Sequence, residues 1–193
     1  RLLLYVSNGM GEGMEASLLT NLAVNALRNA RRAGIGLADQ AALADQAVHA
    51  HYRGRCYLSS LMFDFDLISG QVHVVDAGSP QVLRLRNGTL EHVTFDSQLP
   101  LGMFEETDYA AQTFQVEPGD RLVLVSDGVY EAFSPNGESY GHAALTRAIM
   151  STRLLPPADV PRAVLRELTG HRGQAVPTDD ALVLCLDWRG RPS

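Results

Sequence analysis

Apolar residues run unbroken from Leu2 to Val6 and stop at Ser7-Asn8-Gly9, which predicts a short buried strand. Ala16, Leu19, Leu22, Ala23, Ala26, Leu27 and Ala30 then recur at helical spacing, so a helix is expected over about 15–32. Gly34 and Gly36 end it. A second helix is expected over about 37–51, with Leu37, Ala41, Ala44, Ala47 and Val48 along one side. From Cys56 to Val125 the texture changes to strands and turns. "YLSSLMFDFDL", the turn "ISGQ" and "VHVVDA" lead into "QVLRLRNGTLEHVTF", where Asn87-Gly88 sits between alternating apolar residues. An Asn-Gly pair in that setting is a strong hairpin signal, because both central turn positions need positive φ. A continuous apolar strand, Leu122–Val125, follows the Pro118-Gly119 turn and reads as buried on both faces. Two helices, about 141–151 and 158–169, flank Pro156-Pro157, and a last strand is expected over about 181–187. Helices early and late around an antiparallel block make the fold class α+β. No linker or repeat divides the 193 residues, so one domain is expected.

Composition narrows the function classes. With 46% hydrophobic and 20% charged residues, the chain has the make-up of an ordinary globule. Its net charge is −6, every basic residue is Arg, and no basic face is implied, which argues against nucleic-acid binding. No apolar run approaches the ~18 residues of a membrane span, and nothing resembles a signal peptide. Cys56 and Cys185 lie far apart in apolar segments and read as buried thiols in a reducing cytoplasm, with no zinc-like spacing.

Polar residues at strand ends carry the candidate chemistry. Asn8 follows "LLLYVS", Asp127 follows "LVLVS", and Asp179-Asp180 stand directly before "ALVLCL". A carboxylate where a core strand meets a loop is poorly solvated unless it is paired, hydrogen-bonded or bound to a cation. Clustered carboxylates of this kind would suit a hard divalent ion, Mg2+ or Mn2+. Taken singly, each also reads as a turn or capping residue.

The segments "YVSNGMGEGMEASLLT", "DAGSPQVLRLRNG", "LPLGM", "VEPGDRLVLVSDGVYEAFSPNGESYG" and "TDDALVLCL" carry a family resemblance in their order and spacing. The chain resembles PPM-type (phosphatase 2C-like) serine/threonine phosphatases, and within them the bacterial branch of stage II sporulation protein E and the RsbU-type regulators. The resemblance implies two packed antiparallel sheets flanked by helices on both faces. It also implies two Mn2+ or Mg2+ ions and a metal-activated water as nucleophile, with no catalytic side chain beyond the metal ligands. Residue by residue, it places Asp127 and Asp179 as ligands of one ion and the Gly9 carbonyl as a ligand of the other. Asn8 falls where the family has the Asp that bridges both ions. Glu12 and Asp180 fall close to these ligands, in supporting positions.

Asn8 departs from the pattern in a way that matters. Its amide keeps one oxygen but carries no charge, and its nitrogen donates rather than accepts. Several kcal/mol of metal affinity are expected to go with the lost anion, leaving one weak site or none. The resemblance also implies an upstream acidic strand, expected to precede Arg1, and Glu12 and Ser79 stand where the family usually has other residues. The expected function is a metal-dependent phosphatase domain acting on a phosphoserine or phosphothreonine regulatory protein of the anti-sigma-factor-antagonist type. The alternative is a catalytically degenerate phosphatase fold that binds a partner in signalling. Family organisation further implies a fused N-terminal sensor or receiver domain, and a dimer is one expected state. The lack of an export signal or membrane span, the unpaired thiols and the acidic charge lead to the expectation of a cytoplasmic setting without membrane or nucleic-acid partners.

Overall fold

Residues 1–11, 13–78, 80–177 and 179–190 are described by a computed structural model, which resolves into two compact units. The first comprises Arg1–Ser79 and Phe95–Val116, the second Pro80–Thr94 and Glu117–Ser193.

In the first unit, β1 (Leu2–Gly9), β2 (Leu58–Phe65), β3 (Gln71–Ala77) and β6 (Gln112–Gln115) form an antiparallel sheet in the order β1-β2-β3-β6. Helices α1 (Gly13–Arg32) and α2 (Leu37–Tyr52) accompany it. The helical spacing read from the sequence is the packing face: Leu19, Ala23, Leu27 and Ala30 of α1 are buried. Leu19, Ala23 and Leu27 share a core with Ala41, Ala44 and Val48 of α2 and with Leu58, Met62 and Val75 of the sheet. Each fully buried leucine there contributes about 1.5–3 kcal/mol. The "LPLGM" loop is fastened to α2 through a buried carboxylate. Asp45 accepts hydrogen bonds from the Gly102 N–H at 2.7 Å and from the Tyr109 hydroxyl at 3.2 Å. Gly102 has φ +87°, and a Cβ there would run into the Val48 side chain.

In the second unit, β4 (Gln81–Arg86), β5 (Thr89–Val93), β7 (Arg121–Val125) and β8 (Val183–Asp187) form an antiparallel sheet in the order β5-β4-β7-β8. The β4–β5 hairpin turns at Asn87 (φ 50°) and Gly88 (φ 80°), as the Asn-Gly signal requires. Every residue of β7 is buried. Helices α4 (Gly141–Ser151) and α5 (Val160–Arg172) supply Leu145, Ala148, Ile149, Val164 and Leu168 to a core with Leu83, Val123 and Val125. Two antiparallel sheets with helices make the fold mixed α and β, as the sequence predicts.

Two details differ from what hydropathy predicts. Strand β1 continues through Asn8 to Gly9 because every position from Leu2 to Gly9 pairs with β2, down to Asn8 opposite Ser59 and Gly9 opposite Leu58. Backbone pairing needs no apolar side chain, so the polar end is invisible to hydropathy. Cys56 and Cys185 are free thiols, as expected, but each is half-buried rather than buried, and Cys56 precedes β2 instead of lying in it. No helix among the described residues is long and apolar enough to cross a membrane.

Candidate functional site

The acidic site residues of the second unit are brought together by the pairing of β7 with β8. These strands run antiparallel with Val125 opposite Val183, so the exit of β7 and the entry of β8 lie side by side. Ser126 extends the ladder: its N–H donates to the Leu182 carbonyl at 3.1 Å. Its Oγ donates to the Asp180 carbonyl at 3.0 Å and accepts from the Leu182 N–H at 2.9 Å. One side chain thereby ties the Asp127 segment to the Asp179-Asp180 segment at two points.

Gly128 makes the approach closer than any other residue would allow. A Cβ at this position would stand 2.8 Å from the Asp180 carbonyl carbon, nearer still to its oxygen, and 3.2 Å from the Asp179 carbonyl carbon. The backbone of the "SDG" turn thus rests directly on the backbone of the "DD" pair. Asp127 opens a single helical turn, α3 (Asp127–Tyr130), which is absent from the elements the sequence predicts. At i+3, Tyr130 donates its hydroxyl hydrogen to Asp127 Oδ1. Burial first, then the hydrogen bond and charge of Asp127, push the Tyr130 hydroxyl well above the ordinary tyrosine range, so it remains a donor. The Tyr130 ring stacks on His142 at 4.7 Å between centroids. Gln81, in the same unit, has its Oε1 buried without a hydrogen-bond partner. Asp179 Oδ1 accepts the Asp180 N–H at 2.7 Å.

In the first unit, Asn8 and Gly9 occupy the end of β1 where the chain turns toward α1. A Cβ on Gly9 would stand 2.8 Å from Thr20 Oγ1 and 2.9 Å from the Ala16 carbonyl oxygen, so only glycine lets the strand end lie against α1. Next to them the Ser7 and Ser60 hydroxyls share a hydrogen bond at 2.8 Å. Glu12 and Ser79 lie outside the described residues. The structure therefore places Asp127, Asp179 and Asp180 together in the second unit and Asn8 and Gly9 together in the first.

Sequence reasoning missed Ser126, Tyr130 and Gln81. A helical turn beginning at Asp127 would have marked Tyr130, since residues three apart share a helix face.

The donor chemistry on the second unit fits a hard divalent ion. Asp127 and Asp179 are carboxylates with access to solvent, and the glycine cradle holds their segments in backbone contact. Oxygen donors with room for water suit Mg2+ or Mn2+. Among the described residues, no group of three or more His, Cys, Asp or Glu side chains could hold an ion. Any ion held by the Asp127 and Asp179 carboxylates would therefore draw much of its coordination from water.

Two antiparallel sheets with helices match the architecture of PPM-type phosphatase folds. The chain belongs to the SpoIIE family: the family model for stage II sporulation protein E matches residues 1–189. Among curated proteins, it is similar to phosphoserine phosphatase RsbP of Bacillus subtilis, at 21% identity over 182 residues, covering 92% of this chain and 43% of RsbP. It is also similar to protein IcfG of Synechocystis, at 22% identity over 121 residues, covering 63% of this chain and 19% of IcfG. The chain thus spans less than half the length of these curated relatives. Among solved structures, the SiaA-PP2C domain of Pseudomonas aeruginosa superposes with a TM-score of 0.80 at 20% identity, covering 96% of this chain and 75% of that one. The RsbU and RsbW domains of Rv1364c from Mycobacterium tuberculosis give 0.82 at 20%, covering 99% and 54%. The catalytic domain of serine threonine protein phosphatase PstP, solved with two manganese ions, gives 0.69 at 17%, covering 95% and 85%.

Proposed function

We propose that this chain is a metal-dependent protein serine/threonine phosphatase domain of bacterial signalling, with activity impaired by Asn8. One observation carries the reading. On a chain that its family model matches almost end to end, Ser126 and Gly128 fasten the Asp127 turn onto the Asp179-Asp180 segment. Asp127 and Asp179 would hold an Mn2+ or Mg2+ ion, with Asp180 supporting from the next position and the Gly9 carbonyl serving a second ion. When bound, such an ion lowers the pKa of water, orients the phosphate and neutralises charge developing on it. The chain's own contribution is to hold the carboxylates in place before substrate arrives.

Asn8 sits where the anion shared by two ions belongs. A charge pair at 4 Å is worth about 1 kcal/mol in water and about 4 kcal/mol near a protein surface. Asn8 is exposed, so the loss lies between those limits. One weak ion site, or none, is the consequence. The substrate class is a phosphoserine or phosphothreonine regulatory protein of the anti-sigma-factor-antagonist type, by analogy with the family. The uncharged Asn8 equally supports a second reading, a phosphatase fold retained as a signalling module that binds its partner without hydrolysis.

Hydrolysis of p-nitrophenyl phosphate with Mn2+, by the parent chain and by Asn8→Asp, separates the two. The phosphatase reading expects turnover near background in the parent and a clear Mn2+-dependent gain in Asn8→Asp. Parent activity equal to that of Asn8→Asp would overturn the impairment, and silence in both would favour the binding module.

A further inference from the structure

The hydroxyl of Tyr130 donates a hydrogen bond to the exposed carboxylate of Asp127. Asp127 lies at the start of a four-residue helical turn with access to solvent, and its Oδ1 accepts from Tyr130 one turn later. The ring of Tyr130 is itself held by aromatic contacts. It lies nearly parallel to His142 (26° between planes, 4.7 Å between centroids), and His142 in turn meets the edge of His92 at 5.7 Å. A surface carboxylate is thereby coupled to an aromatic side chain anchored on α4 and the sheet.

We propose that Tyr130 is a positioning residue that presets Asp127 for a divalent ion, an inference that rests on the metal-site reading above. A carboxylate offers about four lone-pair sites, and one neutral hydroxyl occupies only one of them. Tyr130 therefore leaves Oδ2 and part of Oδ1 available to a cation while fixing the rotamer. Being uncharged, it does not replace the ion electrostatically. Partners of this kind that orient a metal ligand typically govern about 10–100-fold in affinity.

The test is Mn2+ binding followed by the loss of the free-ion paramagnetic resonance signal, in the parent and in Asn8→Asp, each with and without Tyr130→Phe. Tyr130→Leu, which also removes the ring, is measured alongside, together with thermal unfolding of every variant. The phenylalanine variant keeps the stack on His142 and loses only the hydroxyl. We expect Tyr130→Phe to weaken Mn2+ binding about tenfold with an unchanged unfolding temperature, and Tyr130→Leu to weaken binding by a similar factor. A purely structural ring would give the opposite pattern, with Phe harmless and Leu damaging, and that result overturns the inference. Unchanged or tighter binding in Tyr130→Phe overturns it as well. Should neither the parent nor Asn8→Asp bind Mn2+, the metal-site reading itself fails and this inference with it.

Discussion

Replacing Gly128 by alanine tests the device that joins the Asp127 turn to the Asp179-Asp180 segment. Gly128 lies in α3 without a positive φ, so its backbone conformation is open to alanine. Helix propensity would even favour the change by up to about 1 kcal/mol. Space decides against it. The added Cβ would stand 2.8 Å from the Asp180 carbonyl carbon and 3.2 Å from that of Asp179, and both obstacles are backbone. No side chain can rotate away, so the β7 exit and the β8 entry must part. Overpacking of this kind costs about 1–3 kcal/mol, which exceeds the propensity gain at its upper end. At about 2–4 °C per kcal/mol for a chain of this size, the unfolding temperature should fall by several degrees. Gly170 is the internal control: it sits in α5, and a Cβ added there would meet nothing within 4 Å. Gly170→Ala should therefore raise the unfolding temperature by about 2–4 °C. Thermal unfolding followed by circular dichroism reads both. If Gly128→Ala is as stable as the parent, or if the two substitutions shift stability in the same direction, the close approach does not exist as described.

Ser126→Ala removes both contacts of the hydroxyl bridge to Asp180 and Leu182. At about 1 kcal/mol per bond it should cost about 2 kcal/mol, read as a lower urea midpoint with unchanged slope. Acid sensitivity should trace in part to Asp120, almost fully buried and held by Arg86 at 2.7 and 2.6 Å and by the Glu117 N–H at 2.8 Å. Burial pushes its carboxyl up, but the Arg86 hydrogen bonds, the Glu117 N–H and the guanidinium charges outweigh it and hold the pKa below the ordinary aspartate range. A depressed folded pKa means the stabilisation is present above the unfolded value near about 3.9 and is lost as pH falls through the folded one. Urea midpoints should drop below about pH 4 in the parent, and Asp120→Asn should flatten that drop; an unaltered pH profile in Asp120→Asn would contradict the assignment.

Periodicity carried most of the architecture because the signals were local and redundant. The α1 face of Leu19, Ala23, Leu27 and Ala30 repeats at helical spacing, and Asn87-Gly88 dictates its turn by φ alone. The polar end of β1 and the one-turn α3 escaped because neither rests on a hydropathy pattern. Asp127, Asp179 and Asp180 were legible as acids at strand ends. What joins them was not, since the Ser126 bridge and the Gly128 contact reach far across the sequence to Asp180 and Leu182. Tyr130 escaped for a different reason: an apolar-looking tyrosine after "SDGV" gives no sign that its hydroxyl turns back to Asp127. That the Asn8 side chain carries no charge was readable directly, because amide and carboxylate differ in chemistry whatever the fold.

Crystals of the parent chain grown with Mn2+ would locate the ion directly by anomalous scattering at the manganese edge. The account predicts at most one manganese peak, at partial occupancy and within bonding distance of the Asp127 and Asp179 carboxylates. Two fully occupied peaks with Asn8 among the ligands would contradict the impairment. Manganese bound elsewhere, with those two carboxylates turned into solvent, would contradict the site itself.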